Sequence, residues 1–219
     1  MKGQSVLKLV IGNKRYSSWS MRPWILMKEF RLPFEEVIVP LYREESKSAL
    51  LAQSPAGKVP VLHDGDMNVW DSLAIVEYLA DLYPNLLIWP QERETRAHAR
   101  ALACEMHSGF AALRSECPMN FGRSPQPASL TEAASADADR IGAAWRDALA
   151  RYDGPFLFGQ FGAADAMFAP IVQRFESYMI PASKEAQRYM HAIKSLASWQ
   201  EWSLSAGSEE WRLPQNERD

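Results

Sequence analysis

Cysteine is nearly absent: the 219 residues contain two, Cys104 and Cys117. That excludes a disulfide framework, and no spacing of Cys and His suits a metal ion. Unpaired thiols fit a reducing cytoplasm, which is the expected location. A basic excess is absent too. The 24 Lys and Arg are outnumbered by 27 Asp and Glu, a formal net charge of −3, so nothing is available to neutralise phosphates and nucleic acid is excluded as a partner. No apolar run is long enough to span a bilayer, so no membrane partner is expected. Met1 to Ser5 leads into a strand-like stretch with no apolar h-region, which predicts no secretory leader. Internal repeats and low-complexity tracts are missing. What remains is 47% apolar and 23% charged, ordinary for a globular chain that can bury a large core in one or two domains.

The most informative stretch runs from Ser54 to Tyr83. Ser54-Pro55-Ala56-Gly57 is a turn cluster. Val59-Pro60-Val61-Leu62 is a short apolar run whose proline must lie at a strand's start or edge, because it cannot donate to a ladder. A cis bond at Val59–Pro60 would turn a backbone N–H and C=O outward for a ligand. His63-Asp64-Gly65-Asp66 carries hairpin-turn chemistry, and Met67 to Trp70 returns as a strand. Asp71-Ser72 then opens a helix with Ile75, Val76, Leu79, Leu82 and Tyr83 on one face. The free N–H groups and the Ser72 hydroxyl suit a carboxylate, and Asp71 beside them suits an ammonium. By itself, the pair is better read as a helix cap.

Along the rest of the chain, Val6 to Ile11 reads as a strand, Trp19 to Phe30 as a helix, Phe34 to Val39 as a strand and Glu44 to Ala52 as a short helix. Pro23 is tolerable if it falls near the first helical turn. The order of strand, helix, strand, helix, strand, strand, helix predicts an α/β, thioredoxin-like unit over residues 1–83. Residues 84–90 form a linker whose Leu86, Leu87, Ile88 and Trp89 should dock. Residues 91–219 read as an all-helical bundle: one long helix to about Pro118 on Leu102, Met106, Phe110 and Leu113, another over Leu130 to Tyr152, a third opened by Gly162, and two more after Ser183. Ser208 to Asp219 is polar and charged and should fray, with Trp211 and Leu213 as its candidate anchors.

The fixed order Ser54-Pro-Ala-Gly-Lys-Val-Pro-Val-Leu62, hairpin, then Asp71-Ser-Leu-Ala-Ile-Val-Glu-Tyr-Leu79 resembles the glutathione site of cytosolic glutathione transferases. The two-unit layout is similar to theirs across the whole chain. The resemblance implies that Pro60 is cis, that Val59 pairs its backbone with the cysteinyl backbone of glutathione, that Asp71 and Ser72 hold the γ-glutamyl end, and that Lys58 reaches the glycine carboxylate. Ser54 stands where Asn is commoner, and Asp71 where Glu or Gln is. The segment Phe158 to Ala166 resembles the family's buried helix start, with Gly162 at the cap and Asp165 three residues on; glycine leaves half of a reciprocal capping box missing.

Glutathione chemistry needs a thiolate, and a free thiol titrates near ~8.5. A hydroxyl donor and a helix N-terminus both favour S⁻. Tyr16-Ser17-Ser18-Trp19-Ser20-Met21-Arg22 offers four hydroxyls at such a junction and resembles the zeta-class pattern Ser-Ser-Cys-x-x-Arg. That resemblance implies Ser17 as activator and Ser18 as second donor. Trp19 stands at the zeta cysteine's position and removes any cysteine nucleophile. Tyr16 is the rival donor, and Ser20 is a further hydroxyl. Arg22 reads as a partner for an interface carboxylate first, and second as a source of positive potential near the thiolate. His107, Phe110 and Arg114, along one flank of the long helix, are candidates for the electrophile pocket. Cys104 and Cys117 read as buried apolar residues, and Arg43 as a surface residue first and a contact for the glycine carboxylate second. The resemblance implies a glutathione transferase with glutathione as its only cosubstrate, no metal, and a homodimer. The alternatives are a glutathione-dependent isomerase of the maleylacetoacetate type and a non-catalytic scaffold.

Overall fold

A computed structural model describes residues 6–217. The reading of Met1 to Ser5 and of the last two residues lies outside that range. The strands are β1 (Leu7–Ile11), β2 (Phe34–Ile38), β3 (Val61–Asp64) and β4 (Met67–Trp70), interleaved with helices α1 (Ser18–Glu29), α2 (Ser46–Leu51) and α3 (Ser72–Leu82). They form one sheet in the order β2-β1-β3-β4. β1 runs parallel to β2 with Leu9 opposite Glu36, and antiparallel to β3 with Leu9 opposite Leu62. The period-two alternation of β1 explains its central place. Leu7, Leu9 and Ile11 join the main core with α1 and α3. Val10 faces the other way, into a smaller cluster with Val39, Val61 and Leu50 of α2. Both faces of the sheet are therefore covered, and β1 delivers the loop after Ile11 to the edge where α1 begins.

Helices α4 (Arg93–Ser108), α5 (Ala111–Glu116), α6 (Glu132–Arg151), α7 (Ala163–Ser177), α8 (Lys184–Lys194) and α9 (Ala197–Ser208) follow. α7 is buried along nearly its whole length. Its small residues Ala163, Ala164, Ala166 and Ala169 let α1 and α4 approach closely. The linker docks as expected: Ile88 and Trp89 are buried, and the Ile88 carbonyl accepts the Ala163 N–H at 2.8 Å.

Several expectations need correction. The long helix to Pro118 is two helices, because Phe110 adopts a left-handed φ of 59° at the break. Pro23 sits in the second turn of α1 rather than the first, so the Trp19 carbonyl lacks its helical donor. Cys104 is exposed, while Cys117 is buried. The tail after α9 docks instead of fraying. The Glu209 carboxylate accepts the Lys14 N–H at 2.6 Å and the Arg15 N–H at 3.0 Å, and Leu213 is only 6% exposed.

Candidate active site

The loop between β1 and α1 carries the first group of polar side chains. Ser17 is the N-cap residue of α1, but its hydroxyl makes no capping bond. It pairs instead with the Ser20 Oγ at 2.7 Å, and Ser20 accepts the Gly12 N–H at 3.0 Å. Ser20 is fully buried. Here Ser17 donates and Ser20 accepts both the Gly12 N–H and the Ser17 O–H. For Ser17 to donate to a ligand both hydroxyls must rotate, Ser20 then giving its own proton to the Ser17 oxygen. Such a chain of hydrogen bonds strengthens its last member. Ser18 accepts from the Arg174 Nη2 at 3.4 Å. Tyr16 is engaged elsewhere: its hydroxyl bonds Glu217 and accepts the Leu213 N–H.

Two cavities open on this junction and share Trp19, Lys58 and Val59. One, of about 650 Å³, is lined by Ser17, Ser18, Arg43, Arg114 and Arg174 among others. The second, of about 500 Å³, reaches Pro60, Trp70, Asp71 and Ser72. The Val59–Pro60 bond is cis. Asp71 caps α3, accepting the Leu73 N–H at 2.9 Å and the Ala74 N–H at 3.4 Å through Oδ1. Its φ of 78° is left-handed, a conformation that Asp and Asn tolerate better than most residues. The Asp71 Oδ2 lies 3.3 Å from the His107 Nε2. Ser72 is 1% exposed, and its hydroxyl has no partner among the described residues. An orphaned buried hydroxyl facing a cavity is a place for a ligand's polar atom. Both α1 and α3 therefore present a helix N-terminus and a hydroxyl to the joined cavities.

The wall opposite is cationic. Arg174, on α7, donates to the carbonyls of Cys117 (2.8 Å) and Pro170 (3.2 Å). Arg114 donates to the His107 carbonyl. Arg22 is 1% exposed, and its Nε and Nη1 have no partner among the described residues. Of the two roles expected of it, the carboxylate pair is not formed among the described residues, which leaves the contribution to positive potential. It stacks on Trp19 at 4.2 Å, and Arg114 approaches the same ring at 5.2 Å. Burial, then Arg174 and Arg114, push the Arg22 guanidinium down to about 9. Burial, then Arg114, hold Arg174 at about 10. Both remain charged at neutral pH, so the cavity carries concentrated positive potential in a site of low polarity.

The three residues assigned from one helix flank take different places. Arg114, on α5, lines the larger cavity. His107 sits against Asp71 and meets the Trp19 ring edge-on at 5.2 Å. Burial lowers its pKa despite the pull of Asp71. Phe110 is 6% exposed, in the core at the helix break. Ser17, Ser18, Lys58, Val59, Asp71 and Ser72 all border the joined cavities. Trp19 and Arg174 were not singled out as ligand contacts. Arg174 had a signal, a cation inside the apolar run Ile171-Val172-Gln173-Arg174-Phe175.

Residues 16–82 match the family model described as glutathione S-transferase, N-terminal domain, and residues 128–202 match glutathione S-transferase, C-terminal domain. A probable maleylacetoacetate isomerase of Caenorhabditis elegans is 36% identical over 96 residues; the alignment spans less than half of either protein, 44% of each. Glutathione S-transferase F10 of Arabidopsis thaliana is 27% identical over 206 residues, 84% of this chain and 91% of that one. Among solved structures, a glutathione transferase homologue from Burkholderia with bound glutathione superposes with a TM-score of 0.72 at 25% identity, covering 92% of this chain and 98% of the other.

Proposed function

The chain belongs to the glutathione S-transferase family, and from that premise we propose that it ionises the glutathione thiol at Ser17 and adds the thiolate to a small electrophile. The observation that carries this is the Ser17 hydroxyl at the cavity on the N-terminus of α1, backed by the Ser20 hydroxyl at 2.7 Å; the direction of their shared hydrogen bond can reverse when a thiolate arrives. The γ-glutamyl end lies in the smaller cavity, its carboxylate on the Ser72 hydroxyl and the N-terminus of α3, its ammonium on the Asp71 Oδ2 beside the His107 imidazole. The cysteinyl backbone pairs with Val59. The glycine carboxylate meets Lys58, with Arg43 and Lys47 lining the same cavity. The sulfur then faces Ser17, whose O–H donates to S⁻ as the thiol proton leaves to water. The thiolate's lone pair forms a C–S bond with the electrophile, and a leaving group departs or a double bond accepts the electrons.

A second reading is favoured by one observation. Arg114 and Arg174 line the electrophile cavity with Arg22 behind them, which suits an anionic substrate. With a cis-enediacid, addition of S⁻ converts the double bond to a single one, rotation follows, and expulsion of S⁻ leaves the trans isomer. Guanidinium groups on the carboxylates hold the charge that develops during addition. Arg114→Ala is expected to lower kcat/KM for a cis-enediacid by about 10- to 100-fold, the worth of one charge-assisted bond, with a markedly smaller loss for a neutral aryl halide. Equal losses on both would overturn the isomerase reading.

Asp71→Asn isolates the ammonium contact, because asparagine keeps the cap and tolerates the positive φ. KM for glutathione is expected to rise about 10- to 100-fold, with the bound thiol's pKa unmoved. A KM within error of wild type would leave Asp71 as a helix cap alone. We extend the reading to a cytoplasmic homodimer. The free cysteines and the exposed apolar Met67 and Trp70 on edge strand β4 support it, and light scattering measures the assembly.

A further inference from the structure

Residues 209–217 cross the mouth of the larger cavity. At one end the Glu209 carboxylate holds the Lys14 and Arg15 amides, and Arg15 Nη2 donates to the Gly207 carbonyl at 3.1 Å. In the middle, Trp211 lies 5.3 Å from the Arg43 guanidinium, so the segment reaches from the loop after β1 to the loop after β2. At the far end, Asn120 Nδ2 donates to the Asn216 carbonyl at 3.3 Å. Leu213 and Asn216 line the cavity alongside Tyr16, Ser17 and Ser18. The Tyr16 hydroxyl ties the segment down at two points, donating to Glu217 and accepting the Leu213 N–H at 3.3 Å. Its ionisation is suppressed by burial and by the Glu217 bond, so it remains a donor.

We propose that residues 209–217 form a strap latched by the Tyr16 hydroxyl, and that Leu213, held inward by that latch, sets the size of electrophile the cavity admits. The inference rests on the reading of this cavity as the electrophile site. It makes Tyr16, the residue before Ser17, a positioning residue, because its hydroxyl is engaged by the strap and is not offered to sulfur. A bulky electrophile must displace Leu213, whereas a small one fits beneath it.

Tyr16→Phe keeps the ring and removes only the latch. Trypsin cleavage after the exposed Arg212 is expected to accelerate severalfold, because the Leu213 N–H loses its acceptor. The bound thiol's pKa is expected to equal that of wild type. Leu213→Ala is expected to raise kcat/KM for a bulky electrophile relative to a small one by about tenfold, the usual worth of a few methyl groups in a pocket. A thiol pKa that rises in Tyr16→Phe would overturn the proposal, since Tyr16 would then serve sulfur directly. Cleavage and size preference both unchanged in the two variants would overturn it as well. Should the wild-type thiol itself be unshifted, the thiolate reading falls, and the cleavage rate still decides for or against the latch.

Discussion

Ser17→Ala is expected to slow glutathione addition at neutral pH by about 10- to 100-fold, because a hydrogen bond to a charged atom contributes about 1.5–3 kcal/mol. The effect should lie in kcat more than in KM for glutathione, since the tripeptide's other contacts are elsewhere. Ser20 cannot take over, because it is fully buried. Ser18 borders the cavity and accepts from Arg174 at 3.4 Å, which leaves its own proton available, so Ser18→Ala is the control and is expected to lose markedly less than Ser17→Ala. The mutant's rate should recover as the pH is raised toward the thiol's own ionisation, near ~8.5. A pH-independent loss would point instead to a disturbed fold at the start of α1. Initial rates across a pH series with one neutral electrophile check this.

Asp165→Ala is expected to cost the fold about 4 kcal/mol, from two orphaned buried amides at about 1–3 kcal/mol each. Asp165 is 1% exposed and accepts the Leu157 and Gly162 N–H groups, each at 3.0 Å. It fixes the entry to α7, the helix that carries Arg174 to the cavity. For a chain of this size the melting point should fall by roughly 10 °C. The same residue sets a pH dependence. Burial raises the Asp165 carboxyl to about 7, against an ordinary 3.8. The unfolded chain therefore releases this proton in the acid range, and the folded chain only near neutrality. A folded-state pKa raised in this way stabilises fully below about 4, and that contribution is lost as the pH climbs to about 7. Asp165→Asn should flatten this component of the stability profile, as calorimetry between those limits would measure.

How much of this was legible depended on how local each feature is. The stretch Ser54 to Tyr83 declares itself because its turn, hairpin and cap are each specified by neighbouring residues. Ser17 was findable because it follows the first strand and opens the first helix. The break between α4 and α5 was not, since Leu102, Met106, Phe110 and Leu113 keep helical spacing across it. It depends on a left-handed Phe110, a backbone state that non-glycine residues seldom adopt. The cationic wall was hidden for a different reason: Arg174 meets Ser18 across 156 residues of sequence. The strap pairs Lys14 with Glu209 across 195; Trp211 and Leu213 mark the tail's anchors in the sequence, but the surrounding polar composition gives no sign of the partners that hold it. Trp19 stands out in the sequence for the cysteine it replaces, while its place as the ring between Arg22 and Arg114 depends on a tertiary contact with α5 that no local spacing encodes.

The most direct test is an ultraviolet titration of the wild-type protein with bound glutathione, following thiolate absorbance against pH. A thiol pKa clearly below that of free glutathione, restored to the free value in Ser17→Ala, is the predicted result. Saturable binding with an unshifted thiol would contradict thiolate activation and leave a glutathione-binding scaffold.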